Sequence, residues 1–153
     1  MINITLPDGS VKQFEGNITP LDVAKSISEG LARNVLCASI DGNVVELSRT
    51  ISQDCALKLY TWNDAEGKQT FWHSSAHLLA AAVLELYPNA KFGIGPAIEN
   101  GFYYDIDFGD KVLSSEDFSK IEAKMAEIVK RSVSLVRKEV SKAEALKWFE
   151  AKG

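Results

Sequence analysis

Residues 35–47 read VLCASIDGNVVEL, two apolar runs joined by Asp41-Gly42. Asp and Gly both tolerate the positive φ angles of a two-residue hairpin turn, so this stretch predicts strands over Val35–Ile40 and Val44–Leu47. A second hairpin signal opens the chain. Ile2, Ile4 and Leu6 alternate with polar residues, Pro7-Asp8-Gly9-Ser10 supplies a turn, and Val11 to Phe14 resumes the strand. Between the hairpins, Thr19-Pro20-Leu21-Asp22 predicts a helix start, with Thr19 as N-cap, Pro20 first in the helix and Asp22 as the box acid. Val23, Ala24 and Ile27 are its apolar stripe and Gly30 its expected stop. A last strand, Ala56 to Thr61, gives the order ββ-α-ββ-β: one sheet with one helix across it, over residues 1–62.

The stretch NDAEGKQ, residues 63–69, is polar and contains Gly67, and is expected to be the boundary with a second unit, 63–153. That unit should begin with a helix from His73 to about Tyr87, stopped by Pro88. Residues 92–108 predict strand, turn and strand, with the turn at Asn100-Gly101. Ser114-x-x-Asp117 predicts a capped helix whose stripe is Phe118, Ile121, Met125, Ile128 and Val129. Val133 to Val140 predicts a strand, and Ser141-x-x-Glu144 a short final helix carrying Leu146 and Phe149. The fold class expected is α+β.

Charge narrows the choice of partners. The net charge of −4 argues against binding nucleic acid by bulk attraction. Its distribution is uneven: residues 63–118 carry 3 Lys/Arg against 9 Asp/Glu, and residues 119–153 carry 9 against 5. A basic C-terminal stretch can face phosphate or simply be the wet side of a helix. No apolar run approaches a membrane span, and the start MINITLPDGS has no secretory h-region. Two cysteines, Cys37 and Cys55, fall on predicted strands as core residues and suit a reducing cytoplasm.

Chemistry concentrates in FWHSSAHLLAAAVLELYP, residues 71–88, which holds both histidines of the chain. Four residues apart on a helix, His73 and His77 share a face with Cβ atoms about 5–6 Å apart. They can hold a metal, bracket a substrate atom or be ordinary hydrogen-bonded residues. A catalytic zinc needs a third protein ligand, and Ser74 stands where the HExxH pattern has its Glu, so no complete metal site is visible. GIGPAIENGFYYD, residues 93–105, is a poor phosphate loop; it is a tight aromatic hairpin or the wall of a pocket.

ITLPDGS, TPLDVAKSI and IDGNVVEL resemble a TGS domain, a β-grasp module. HSSAHLLAAAV followed by IGPAIENGFYYD resembles the start of the editing domain beside TGS in bacterial-type threonyl-tRNA synthetases. The resemblance covers essentially the whole chain. It implies a β-grasp domain at 1–62 and the first part of a mixed α/β editing domain at 63–153. Such enzymes join threonine to its tRNA with ATP and hydrolyse seryl-tRNA made in error. The resemblance places His73 and His77 at the editing site, with Gly95, Pro96 and Tyr104 beside the terminal adenosine. It implies tRNA and the rest of the synthetase as partners, a homodimer, a cytoplasmic location and no membrane. ATP, magnesium and one zinc are cofactors of the full-length enzyme, with none expected in this stretch. The family's later Cys-x-x-x-His motif is missing, since no histidine follows His77 and no cysteine follows Cys55. The chain is therefore expected to be an N-terminal fragment, inactive alone. The alternatives are a stand-alone TGS regulatory module and a zinc-dependent aminoacyl-tRNA hydrolase.

Overall fold

The computed structural model describes residues 1–151. Its first half is a five-stranded sheet. Strands β1 (Ile2–Thr5) and β2 (Val11–Phe14) form the first hairpin, and β3 (Cys37–Ile40) and β4 (Asn43–Val45) the second. Strand β5 (Cys55–Tyr60) runs between them, parallel to β1 and antiparallel to β3, giving the order β2-β1-β5-β3-β4. Asp41 and Gly42 take φ of 49° and 83°, the left-handed pair that a primed hairpin turn requires. The Asp41 carboxylate also accepts a hydrogen bond of 2.8 Å from the Ala56 amide, pinning the turn to β5. Ile2 and Ile4 alternate inward from β1 and meet Val23, Ala38, Ile51 and Leu57 in a closed core.

Helix α1 (Pro20–Ile27) starts as the sequence predicts, with Thr19 and Asp22 bonded reciprocally. Its end differs. Ser28, in extended conformation, closes α1 and caps a second helix, α2 (Glu29–Asn34), by accepting from the Leu31 amide at 3.0 Å. Gly30 therefore lies inside α2 rather than terminating α1. A serine oxygen that satisfies the next helix's amides stops a helix as effectively as a left-handed glycine.

Most of the polar stretch 63–69 is helix, with only Asn63 and Asp64 before it. Helix α3 spans Ala65–Leu86, so it begins eight residues before His73. Gly67 explains the tight join: a Cβ there would lie 2.0 Å from the Thr61 carbonyl oxygen. The Thr61 amide donates to the Asp64 carboxylate at 2.8 Å, and the Cys37 thiol contacts the Glu66 carbonyl at 3.6 Å. Polar residues here cover the outer side of a helix whose inner side rests on the sheet.

Helix α4 (Ser115–Lys130) packs on α3, burying Ala82, Val83 and Ile121 with Leu79, Tyr87, Phe92, Ile106 and Met125 around them. Of the predicted stripe, Phe118 and Val129 stay exposed. The residues between the helices form two nested ladders. Strand β6 (Lys91–Phe92) pairs with β9 (Ile106–Asp107), and β7 (Ala97–Ile98) pairs with β8 (Gly101–Phe102). The inner turn is Glu99-Asn100, one residue earlier than predicted, because Gly101 already pairs with Ile98. Val133–Val140 is not a strand: no described residue pairs with it, and Leu135 and Val136 are 82% and 86% exposed. Alternation of apolar residues makes a segment ready for a sheet, but a strand exists only against another strand's edge. Helix α5 (Lys142–Glu150) follows, with the predicted Ser141–Glu144 capping box formed.

Candidate functional site

Helix α3 positions the histidines. Its buried residues Ala76, Ala82 and Val83 face the sheet-and-helix interior, which turns His73 and His77 to an exposed flank. Their Nε2 atoms lie 3.0 Å apart and their rings are nearly perpendicular, at 88°. A nitrogen pair at that distance shares one hydrogen: one ring donates Nε2–H and the other accepts, so the acceptor ring carries its own hydrogen on Nδ1. Ser75 lies between them in sequence, but its hydroxyl donates to the Phe71 carbonyl at 2.8 Å and takes no part.

The hairpin residues form a second constellation. A Cβ on Gly95 would meet Tyr104 Cδ2 at 2.6 Å, so the Gly95 backbone lies directly against the tyrosine ring. Pro96 fixes the same strand pair, its carbonyl accepting from the Tyr103 amide at 3.1 Å. Phe92 meets the Tyr104 ring edge-on, with centroids 5.7 Å apart. The structure thus brings Gly95, Pro96 and Tyr104 together, and it brings His73 and His77 together. The link between the two groups runs through α3 itself: Trp72 approaches Phe102 of β8 at 6.4 Å between centroids. Beside the link, a groove of about 520 Å³ is lined by Leu79, Val83, Phe102, Tyr104, Ile106 and Met125.

Trp62, Phe71 and Trp72 were not singled out by the sequence. They form an edge-to-face cluster with centroids 5.1 to 5.7 Å apart where β5 passes into α3. No local spacing announces the cluster, because Trp62 lies in the turn between β5 and α3 while Phe71 and Trp72 lie on the helix. Asp117, the predicted cap acid of α4, has a tertiary role that its capping pattern does not announce. It is buried yet charged, accepting from Ser114 and from the Tyr87 hydroxyl at 2.9 Å. The Ser114 amide and the Tyr87 hydroxyl hold its carboxyl well below the usual range. Cys37 and Cys55 are buried, and burial pushes both thiols up, as befits core residues rather than nucleophiles or ligands. Among the described residues, no three His, Cys, Asp or Glu gather where they could hold a metal ion. No described helix is long and apolar enough to cross a membrane.

The five-stranded unit coincides with the match of residues 2–61 to the TGS domain family. Residues 2–61 are a TGS domain. The remainder of the chain does not stand apart from its relatives either. The chain is 57% identical over 152 residues to a threonine–tRNA ligase of Cytophaga hutchinsonii, covering 99% of the chain and 24% of that protein. It is 53% identical over 150 residues to the threonine–tRNA ligase of Flavobacterium psychrophilum, covering 98% of the chain and 23% of that protein. It is 53% identical over 153 residues to that of Parabacteroides distasonis, covering 100% of the chain and 24% of that protein. The chain thus spans about a quarter of the length of the curated relatives it matches. The likeness to threonyl-tRNA synthetases extends through the TGS domain, α3 and the nested hairpins to α5.

Proposed function

We propose that this chain contributes a TGS module and the first part of an editing site to a threonine–tRNA ligase, an enzyme that attaches threonine to tRNA and clears seryl-tRNA formed in error. The observation that carries the reading is the paired Nε2 atoms of His73 and His77 on the helix that leaves the TGS domain, in a chain similar to threonine–tRNA ligases along its length. The need for editing is physical. Serine and threonine differ by one methyl group, which a binding pocket discriminates by only about 1–3 kcal/mol.

Hydrolysis of an aminoacyl ester requires a water in place, a group to take its proton and donors for the developing oxyanion. When a substrate separates the pair, the ring that accepted has an Nε2 lone pair to take that proton, and the ring that donated can turn its Nε2–H to an adenosine or seryl oxygen. Gly95, Pro96 and Tyr104 then form a flat wall beside the adenosine, a surface suited to stacking. Two histidines do not complete this inventory, so the chain alone is proposed to be inactive in ligation and in editing. ATP, magnesium and the ligation zinc are assigned to other parts of the enzyme, as is dimerisation, and the location proposed is cytoplasmic. Among the described residues, a zinc at the histidines finds two protein ligands where a catalytic zinc requires three.

The test uses the intact ligase carrying His73→Ala or His77→Ala. Threonylation should persist while clearance of seryl-tRNA falls by about two orders of magnitude or more, the usual worth of a general acid–base group. Clearance at the normal rate in both variants would refute the assignment.

A further inference from the structure

We propose that Val133–Val140 is the seam of a weak dimer of this chain, pairing antiparallel with the same segment of a second copy across a two-fold axis at Lys138. In the single chain the segment has no partner. None of its amides donates to a backbone oxygen among the described residues, and every residue in it is exposed. Such a row of open N–H and C=O groups is a template for another strand, and Val133, Leu135, Val136 and Val140 suit one. Charge selects the second copy and its register. When two identical strands pair antiparallel about a two-fold axis normal to the sheet, the axis passes through one residue. With Lys138 on the axis, Arg137 of each copy lies opposite Glu139 of the other, and Val136 opposite Val140. With Arg137 on it, arginine would face arginine; with Val136 on it, the three charged residues would face Ser134, Leu135 and Val133. Among centres within the segment, only Lys138 sets opposite charges of the segment face to face. Arg137 already contacts Glu139 of its own copy, so the four charges alternate across the seam. The two Lys138 ammoniums meet at the axis, a cost that exposure and salt reduce.

Packing favours the same register. Val136 and Val140 line, with Ala145, Trp148 and Phe149 of α5, a groove of about 580 Å³. Opposed residues of an antiparallel pair point to one face, so the two grooves join on that face and four valines meet beneath the two α5 helices. Trp148 and Phe149 are 55% and 64% exposed in the single chain and gain cover there. Each ring can bury on the order of 100 Å² more, which leaves the contact below about 1,200 Å², the range of weak association. The seam is separate from the dimerisation assigned to other parts of the enzyme, and it does not depend on the role proposed for the histidines.

The experiment is sedimentation equilibrium of the 153-residue chain. The expected result is a monomer–dimer equilibrium with Kd on the order of 0.1 mM, in keeping with a small interface. Arg137→Glu and Glu139→Arg should each weaken dimerisation about tenfold. An equimolar mixture of the two should dimerise about as tightly as the wild type, because each substituted charge then faces its opposite. Lys138→Cys should link two copies on oxidation, since opposed Cα atoms lie about 4.5–5.5 Å apart, within disulfide reach. Ser134→Cys should not, because its two copies would lie about 27 Å apart in this register. The native Cys37 and Cys55 are buried. Amides of the segment, fast to exchange in the dilute chain, should slow as concentration rises. A chain that stays monomeric to about 1 mM, charge variants that dimerise like the wild type, or linking through Ser134→Cys and not Lys138→Cys would each overturn the proposal. So would slow exchange of these amides in the monomer, which would mean that the segment folds onto its own chain.

Discussion

Asp117 concentrates several kinds of support in one side chain. It caps α4 through Ser114, accepts the Tyr87 hydroxyl from the end of α3, and pairs with Lys111 at 3.3 Å. Its carboxyl is held well below the ordinary carboxylate range, so it stays ionised in the folded chain at pH values where an unfolded Asp, near about 3.9, takes up a proton. A depressed folded value means stability that is complete above the unfolded value and is lost as pH falls below it. Glu127 follows the same rule, lowered to about 2 by Lys124 and then Arg131. Asp117→Asn should therefore lower the melting temperature at pH 7, and its curve should converge on the wild type's as pH falls from about 4 toward 2. Thermal melts over that range check the convergence. Gly95 tests the other constellation. Gly95→Ala must push the Tyr104 ring aside, at about 1–3 kcal/mol, the ordinary cost of overpacking. Denaturant unfolding measures the cost, and the shift of the Tyr104 ring resonances shows its cause. The capping of α4 by Ser114 and Asp117 was legible from a four-residue pattern, because both partners sit in one turn. The bond from Tyr87 to Asp117 spans a tertiary contact, which no local pattern encodes.

At the scale of elements, the sequence was most readable where a local device fixes the geometry. Asp41-Gly42, the Thr19–Asp22 box and the Ser141–Glu144 box all form as read. It was least readable where a polar surface hides a packed helix. Residues 65–69 look like a linker because their outward side is polar, while Gly67 lies against Thr61. Gly67→Ala would place a methyl carbon inside the Thr61 carbonyl, so it should cost about 3 kcal/mol or more, at the upper end of overpacking. Equilibrium unfolding in denaturant measures this. The stretch Val133–Val140 presents the opposite case, a strand pattern without a strand. Its exposed Leu135 and Val136 make no core contribution, and Leu135→Lys or Val136→Lys should change stability by no more than about 0.5 kcal/mol. Amide hydrogen exchange over the same residues should be fast, since none of these amides has a backbone acceptor among the described residues.

At the scale of the molecule, two cores lie on either side of the β5–α3 joint. One is centred on Ile4, Val23 and Leu57, and the other on Ala82, Val83 and Ile121. Leu57 is almost fully buried, and Leu57→Ala should cost about 2–5 kcal/mol. Ile121→Val acts on the other core and should cost about 0.5–1.5 kcal/mol. Residues in separate cores share no partners, so the double variant should cost the sum of the singles within about 0.5 kcal/mol. Chemical denaturation of the three variants decides this; a large departure from additivity would show that the two sites are energetically coupled. The two hairpins of the sheet and the capped starts of α1, α4 and α5 were visible in the sequence. What stayed hidden was that α3 continues from the edge of the sheet to Leu86 as one helix.

That one helix sets the phase of everything beyond it. Helix α3 is anchored at Gly67 on one side of the histidines and at Val83 on the other. One residue inserted between Gly67 and His73 would swing the imidazoles about 100° around the axis while advancing them only about 1.5 Å. The placement of the pair is thus an angular setting, and length changes along this stretch are tolerable only in near-whole turns.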